Sequence, residues 1–437
     1  MSIVTIFISL SSLGIASYGT REIAKNRNSK EKMSKIFSEL LFLNFISVIL
    51  FLIAYFSIIS FFPNLHQYLK IFMILSLNLF MSVFSLEWFY IGLEEYEYIT
   101  KRSILTKTIS FMFMIIFIKS EKDIYLYVIF LVLGISLNGI FNLYNSRKFV
   151  RISFEKLELK KYIKLLKYFY FQMIMGCLYN GTDQVILGLN STKDQVAYYT
   201  RSRQLISVMV AISLSFVNTI TPRLNNKIEN KDEYKKLVNF SFDFTCFLSF
   251  PFLVGTLLLS KNLLYIIGKN KFLPAANILR ILTGLLIFTL GAVFLNTNIS
   301  IPHNREKNTF YGNIGVMVIS LVVSLILSEK YGGIGSAIAI ILGEFVGVVV
   351  QLFFIKKQNL YLGFFSKNTM KYLASALVMG GVILSIKLQN LGYVKEFVFS
   401  CISGGIIYII TLFLLKEELI KKILIRISIK VKKEKYK

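Results

Sequence analysis

The chain has 437 residues, of which 55% are hydrophobic and only 17% are charged, and its mean hydropathy is +0.63. A soluble protein of this size would expose much of that apolar surface to water, so the composition excludes a soluble multidomain protein and indicates a membrane protein. Basic residues exceed acidic residues by 26, an excess that suggests either a nucleic-acid partner or a membrane topology signal.

Apolar runs that are long enough to cross a bilayer recur along the whole chain, since a spanning helix needs roughly 20 mostly apolar residues. Polar Asn180, Asp183, Arg201 and Arg203 interrupt the sixth and seventh of these runs. The thirteen predicted spans are 2–18, 37–61, 70–92, 103–118, 124–144, 168–189, 197–220, 237–259, 276–300, 309–327, 333–355, 368–387 and 397–415. The sequence therefore predicts an all-α polytopic membrane protein with about 13 transmembrane helices.

Lys and Arg residues are distributed unevenly between the connections. One alternating set of loops, with the C-terminal tail, carries 37 of the 50 basic residues, and the opposite set carries 12. The positive-inside rule then places the N-terminus outside and the C-terminus in the cytoplasm. The excess charge is thus interpreted as a topology signal and as attraction to anionic lipids at the cytoplasmic face, with no nucleic-acid partner.

Two of the basic segments have a predicted structure of their own. Residues 146–167 are predicted to form a cytoplasmic basic linker with a solvated surface helix. Residues 416–437 place apolar side chains at helical spacing between lysines, which predicts an amphipathic helix on the inner leaflet.

Enzyme signatures are missing from the sequence. It contains no phosphate-binding G-x-x-x-x-G-K-[ST] loop, no H-E-x-x-H and no G-x-S-x-G motif. Cys177, Cys246 and Cys401 lie in apolar runs, and only His66 and His303 are present, so neither a metal site nor a disulfide framework is expected. We therefore expect no catalytic residues, no cofactor and no bound metal.

Charged side chains inside predicted spans are the best candidates for function, because charge is costly in hydrocarbon. Arg201, Arg203 and Arg280 lie close to helix ends, where their side chains can extend to the interface. Asp183 and Glu344 lie deeper. Two interpretations stay open for these acids: a functional site, or internal pairs that hold helices together.

Several stretches in the correct order together resemble the polysaccharide (O-antigen) flippase family, the Wzx-type members of the MATE-like MOP superfamily. They are Leu13–Ala24, Glu87–Glu94 with the following Lys101-Arg102 pair, Asn180–Asp183, Thr221-Pro222-Arg223, and Tyr331–Gly335 leading to Glu344. Family members usually carry one more helix before the stretch that ends at Arg21, so the resemblance implies that the first transmembrane helix is lacking here.

The resemblance implies a two-lobe helical bundle in a bacterial cytoplasmic membrane. Its predicted parts are an N-terminal lobe of five helices over 1–145, the linker, a C-terminal lobe of six helices over 168–356, two additional helices over 367–415, and the tail. The implied function is to translocate an undecaprenyl-diphosphate-linked oligosaccharide for O-antigen, capsule or exopolysaccharide synthesis, without enzymatic activity. Other polysaccharide-assembly proteins are implied as partners. A MATE-type cation or drug exporter and, less favoured, a membrane-embedded polymerase or ligase stay open as alternatives.

The implied diphosphate needs cations, and the planar guanidinium group suits phosphate. Arg21, Arg201, Arg203 and Arg280 are the hypothetical substrate-binding residues. Glu87, Asp183 and Glu344 are the hypothetical residues that balance this charge or take up a coupling proton.

Overall fold

The computed structural model describes residues 2–62, 66, 68–153, 157–225, 227–303, 305–361, 363 and 367–417. All regular secondary structure in these residues is helical, which confirms the all-α fold class. The predicted amphipathic helix of the tail lies outside the described residues.

Sixteen α-helices are present in the described part of the chain. They are α1 (Ser2–Ser11), α2 (Ile15–Asn26), α3 (Lys30–Phe61), α4 (Leu69–Met81), α5 (Glu87–Gly92), α6 (Tyr96–Phe117), α7 (Ile124–Ser146), α8 (Leu159–Asn190), α9 (Lys193–Asn225), α10 (Lys231–Gly268), α11 (Ala276–Leu282), α12 (Leu285–Phe294), α13 (Glu306–Tyr331), α14 (Gly333–Lys357), α15 (Lys367–Lys387) and α16 (Tyr393–Leu414).

Nine segments of the described chain are long and apolar enough to cross a membrane. One of them, Lys231–Ser300, contains both the predicted eighth and ninth spans. The predicted fourth, sixth and seventh spans lie on α6, α8 and α9, in which charged and polar side chains interrupt the apolar runs. The chain is a multi-pass membrane protein, and the count of thirteen spans stays a prediction.

The chain divides into two compact units, Met1–Gly181 and Thr182–Lys437. Buried aromatic and aliphatic side chains from α1 to α5, α7 and α8 form the core of the first unit, among them Phe37, Tyr55 and Phe89. The second unit has one core around Tyr372 and Tyr408 and another around Tyr234, Phe294 and Ile355. The predicted lobe boundaries stay a prediction.

Three predicted continuous spans are broken in the structure, which corrects the sequence analysis. The first is divided into α1 and α2 by Leu13 and Gly14, whose φ angles are 51° and 72°. The span 70–92 is divided by a 3₁₀ turn at Ser82–Phe84 and by Leu86 at φ 47°. The span 276–300 becomes α11, α12 and the π-helical segment Leu295–Ser300. Counting apolar residues does not detect such breaks, because the residues at them are themselves mostly apolar.

Gly14 shows why one of these breaks needs its residue. A Cβ atom at this position would lie 2.6 Å from the backbone carbon of Phe169, besides requiring the left-handed conformation that L residues rarely adopt. Only glycine lets α2 start this close to α8.

Helix α10 is interrupted at two positions, by Pro251 and by a kink at Leu259, and the last two helices of the chain supply hydrogen bonds at both. Pro251 has no N–H, so the carbonyl of Phe247 loses its helical donor, and the hydroxyl of Tyr408 donates to it at 2.8 Å. Leu259 leaves the helical conformation (φ −98°, ψ 16°), and Lys387 Nζ donates to the carbonyl of Leu258 at 2.8 Å. Where the surroundings are apolar, as around the buried Tyr408, a carbonyl that has lost its helical donor needs a donor from the protein.

Candidate functional site

The clearest ion pair inside the second unit joins two of the predicted site residues. Asp183 on α8 is buried, and its Oδ2 atom accepts hydrogen bonds from the guanidinium of Arg203 and the hydroxyl of Tyr199, both on α9. The Arg203 side chain is only 15% exposed. Breaking a buried pair of this kind typically costs about 3–5 kcal/mol, because it leaves an unpaired charge behind. The pair therefore holds α8 and α9 together.

Glu87 is also paired, but with a residue that the sequence analysis did not select. Its Oε1 atom accepts from Arg102 on α6 at 3.1 Å, and the Arg102 side chain is 3% exposed whereas that of Glu87 is 57% exposed. Asn142 on α7 accepts from the same guanidinium. The signal for Arg102 is present in the sequence, since this residue belongs to the stretch that carries the family resemblance, but a single sequence does not show that it contacts Glu87.

Glu344 on α14 is buried, and its Oε1 atom accepts from the hydroxyl of Thr289 on α12 at 2.9 Å. The structure thus places the three predicted carboxylates in three separate clusters. It brings only one of the predicted arginines, Arg203, to one of them.

The other three predicted arginines carry accessible guanidinium groups. Arg21 is half exposed, bonds only the adjacent Glu22 (3.3 Å), and lies with its Cζ atom 5.1 Å from the ring centre of Phe169. Arg201 and Arg280 each donate at 3.0 Å to an amide on their own helix, Gln204 and Asn277. Within the described chain, none of the three forms an ion pair with another helix. Their remaining donors are available to an anion.

A further buried carboxylate, Glu39 on α3, was missed because it lies at the start of a predicted span. Its Oε2 atom accepts from the hydroxyl of Tyr162 at 2.6 Å and from Lys161 Nζ at 3.1 Å, and Oε1 accepts from the backbone N–H of Glu158 at 3.0 Å. Hydrogen bonds from Lys35 and Lys161 hold the pKa of the exposed Glu158 carboxyl below its usual value. These contacts fasten the basic linker to α3.

A basic cavity of about 550 Å³ lies beside this linker. Three cationic side chains and one carboxylate line it, and the lining residues are Lys30, Glu31, Ser34, Lys35, Arg151, Ser153 and Leu157. Ser34 Oγ accepts from the backbone N–H of Arg151 at 3.0 Å, which joins the two walls. A cavity of this charge suits an anionic group.

As for metals, the described residues bring together no group of three or more His, Cys, Asp or Glu side chains. Their free cysteines are the buried Cys246 and the exposed Cys401, and neither belongs to such a group.

Comparison with known sequences gives a family match in the N-terminal half and relatives that align over about half of the chain. Residues 1–226 match the family described as polysaccharide biosynthesis protein. A probable low-salt glycan biosynthesis flippase of Haloferax volcanii is 23% identical over 229 residues, which are 51% of this chain and 47% of that protein. The lipid II flippase MurJ of Thermosipho africanus is 25% identical over 232 residues, 52% of this chain and 46% of that one. The alignments therefore span about half the length of these curated relatives.

Comparison with solved structures covers nearly the whole chain. The lipid II flippase MurJ in an inward closed conformation superposes with a TM-score of 0.76 at 18% identity, over 96% of this chain and 93% of that one. A multidrug MATE transporter of the MOP superfamily in an outward-facing conformation gives 0.57 at 15% identity, over 82% and 85%. The predicted MATE-like two-lobe fold is thereby confirmed.

Proposed function

Because the chain belongs to the polysaccharide biosynthesis protein family, we propose that it is a flippase that moves an undecaprenyl-diphosphate-linked oligosaccharide across the cytoplasmic membrane. Relatives named as a glycan biosynthesis flippase and a lipid II flippase support this function, and the fold is that of transporters. In this proposal the chain is a transporter and no residue is catalytic.

The observation that carries the proposal is the state of the arginines. Arg21, Arg201 and Arg280 present guanidinium donors that no carboxylate of another helix neutralises, among the residues described. A diphosphate brings negative charge into a region where an unpaired ion is costly, and a guanidinium fork offers it paired hydrogen bonds. We propose each of them separately as a contact for the head group, Arg21 in the first unit and Arg201 and Arg280 in the second.

Arg203 has a different part in the proposed cycle. Its pairing with Asp183 neutralises both charges while no substrate is bound. An arriving diphosphate competes with Asp183 for the guanidinium, so that Asp183 becomes free to take up a proton. Glu87 and Glu344 are the other two proposed sites of charge balance or proton uptake, and Arg102 and Thr289 are their observed partners.

The proposal also includes the membrane and its orientation. We place the chain in a bacterial cytoplasmic membrane with its N-terminus outside and its C-terminus in the cytoplasm, from the uneven distribution of basic residues. A reporter enzyme fused after Lys437 should then lie in the cytoplasm. An external location of this reporter would overturn the orientation. The cavity at Lys30, Lys35 and Arg151 is the proposed contact for anionic lipid, and other polysaccharide-assembly proteins are proposed partners.

The binding experiment compares lysine substitutions in purified protein. Arg21→Lys, Arg201→Lys and Arg280→Lys keep the charge but lose the fork, so each should weaken binding of undecaprenyl diphosphate by roughly tenfold. The matched control is Arg147→Lys, at the exposed residue that follows the end of α7, which should bind like the parent. If all three variants bind undecaprenyl diphosphate as tightly as the parent does, the proposed head-group contacts are wrong. Binding of organic cations in place of the lipid diphosphate would favour the MATE-type exporter.

A further inference from the structure

One side chain, that of Asn142, supplies the hydrogen-bond donor at the break between α4 and α5. The 3₁₀ turn and Leu86 end the helical bonding, and the carbonyl of Ser85 accepts instead from the Asn142 side-chain amide. Asn142 is fully buried, and its backbone carbonyl accepts from the hydroxyl of Tyr90 on α5 at 2.6 Å. Asn142 therefore contacts the broken helix on both sides of the break.

Arg102 completes this arrangement from α6. Its guanidinium donates to the side-chain oxygen of Asn142 and, through its other terminal nitrogen, to Glu87 at the first residue of α5. Asn142 thus has both ends of its amide occupied, and α5 has a second attachment. The buried Arg102 thus fixes one arrangement of the segment between α4 and α5, because each polar group bonded at the break would otherwise lack a partner.

Helix α5 in turn packs on the helix that carries Arg21. A Cβ atom at Gly19 would lie 2.4 Å from the Trp88 ring, and the hydroxyl of Thr20 donates to the carbonyl of Trp88 at 3.1 Å. At the other end, a Cβ at Gly92 would lie 2.8 Å from Cβ of Ile23. The residues on both sides of Arg21 are therefore held by α5.

We propose that Asn142 and Arg102 are positioning residues for Arg21. They act through the break between α4 and α5 and through α5 itself. Asn142 holds the break in its bent form, Arg102 orients Asn142 and the start of α5, and α5 fixes the turn of α2 from which Arg21 extends. The positioning of α5 is independent of any substrate, whereas its effect on head-group binding rests on the proposed function.

The only tryptophan of the chain, Trp88, lies on α5 and makes the test direct. Asn142→Leu removes the donor to Ser85 and the acceptor for Arg102 at similar side-chain size. The matched control is Asn138→Leu, one turn earlier on α7. Asn138 accepts from the hydroxyl of Thr106 on α6 at 2.9 Å and donates to the carbonyl of Gly134 on its own helix, and among the described residues its side chain makes no hydrogen bond to α4 or α5. Asn142→Leu should shift Trp88 emission to longer wavelength and raise its quenching by acrylamide, while Asn138→Leu should leave both unchanged.

Binding of undecaprenyl diphosphate gives the second measurement. Asn142→Leu should bind roughly tenfold more weakly than the parent, and Asn138→Leu should bind within about twofold of it. If Asn142→Leu does not give folded protein, Arg102→Lys replaces it. This variant can keep one of the two guanidinium contacts, and it should show the same Trp88 shift at reduced size.

The outcomes separate the two proposals. Unchanged Trp88 emission in Asn142→Leu and Arg102→Lys overturns the positioning inference, and so does a shift of equal size in Asn138→Leu. Parent-like binding together with shifted emission also overturns it, because Arg21 would then not depend on α5. If the parent itself binds no undecaprenyl diphosphate, the proposed function fails, while the Trp88 measurements still decide whether Asn142 positions α5.

Discussion

The two units bend their helices in different ways. In the first unit, the Ser85 carbonyl at the break before α5 is bonded by Asn142, 57 residues later in the chain, on a helix that belongs to the same core. In the second unit, the α10 carbonyls at Pro251 and at the Leu259 kink accept from Tyr408 and Lys387, which follow those carbonyls by 161 and 129 residues. The hydrogen bond at the break in the first unit comes from a nearby helix of the same unit. The hydrogen bonds along α10 in the second unit come from the last two helices of the chain.

This difference shows what the last two helices contribute. The sequence predicted them as an addition to a six-helix lobe. The structure shows that they donate to backbone carbonyls of α10, and that Asn262 on α10 donates to Glu396 on α16 at 2.9 Å. Lipid offers no hydrogen-bond donor in its hydrocarbon region, so α10 needs these helices to keep its bent form.

The strongest test of this dependence is Tyr408→Phe. Tyr408 is buried and its ring packs on Phe247, so the substitution removes the hydroxyl and little else. The carbonyl of Phe247 then lacks a donor, and the free energy of unfolding should fall by about 1–3 kcal/mol. Denaturant titration in detergent followed by circular dichroism would measure the loss, while Trp88 fluorescence should report an unchanged first unit.

A second substitution provides the control for Tyr408→Phe. Pro251→Ala restores the N–H that proline lacks, so the carbonyl of Phe247 regains a helical donor. The double variant should therefore recover most of the lost stability. If the stability losses of the two single variants instead add in the double variant, the hydroxyl contributes in some other way and the shape of α10 at Pro251 does not depend on α16.

A smaller effect is expected at the second bend, from Lys387→Met. The Lys387 side chain is only half-buried, so water can replace its ammonium group at the carbonyl of Leu258. The free energy of unfolding should fall by about 0.5–1 kcal/mol in the same titration. The matched control is Lys395→Met, an exposed lysine on α16, which should have no effect. A loss equal to that of Tyr408→Phe would contradict this ranking by burial.

The sequence predicted the fold more completely than the site. Long apolar runs and the distribution of basic residues identified a multi-pass membrane protein, and the stretches around Arg21 and Glu87 identified the family. The breaks at Gly14 and Leu86 were not predicted, because mostly apolar sequence continues through them. The partners of Glu87 and the Ser85 carbonyl were missed for a related reason. Arg102 and Asn142 lie on other helices, and a single sequence gives no register between helices.

The origin of the hydrogen bonds at the bends of α10 also sets a timetable for synthesis. At roughly 5–20 residues per second, the ribosome needs about 8–32 s to advance from Phe247 to Tyr408, and about 3–11 s from Ser85 to Asn142. During the longer interval α10 has entered the membrane with its Phe247 carbonyl still without the donor that it has in the finished protein. An insertion chaperone would therefore be needed most before α16 is synthesised, while the Phe247 carbonyl on α10 still lacks its donor.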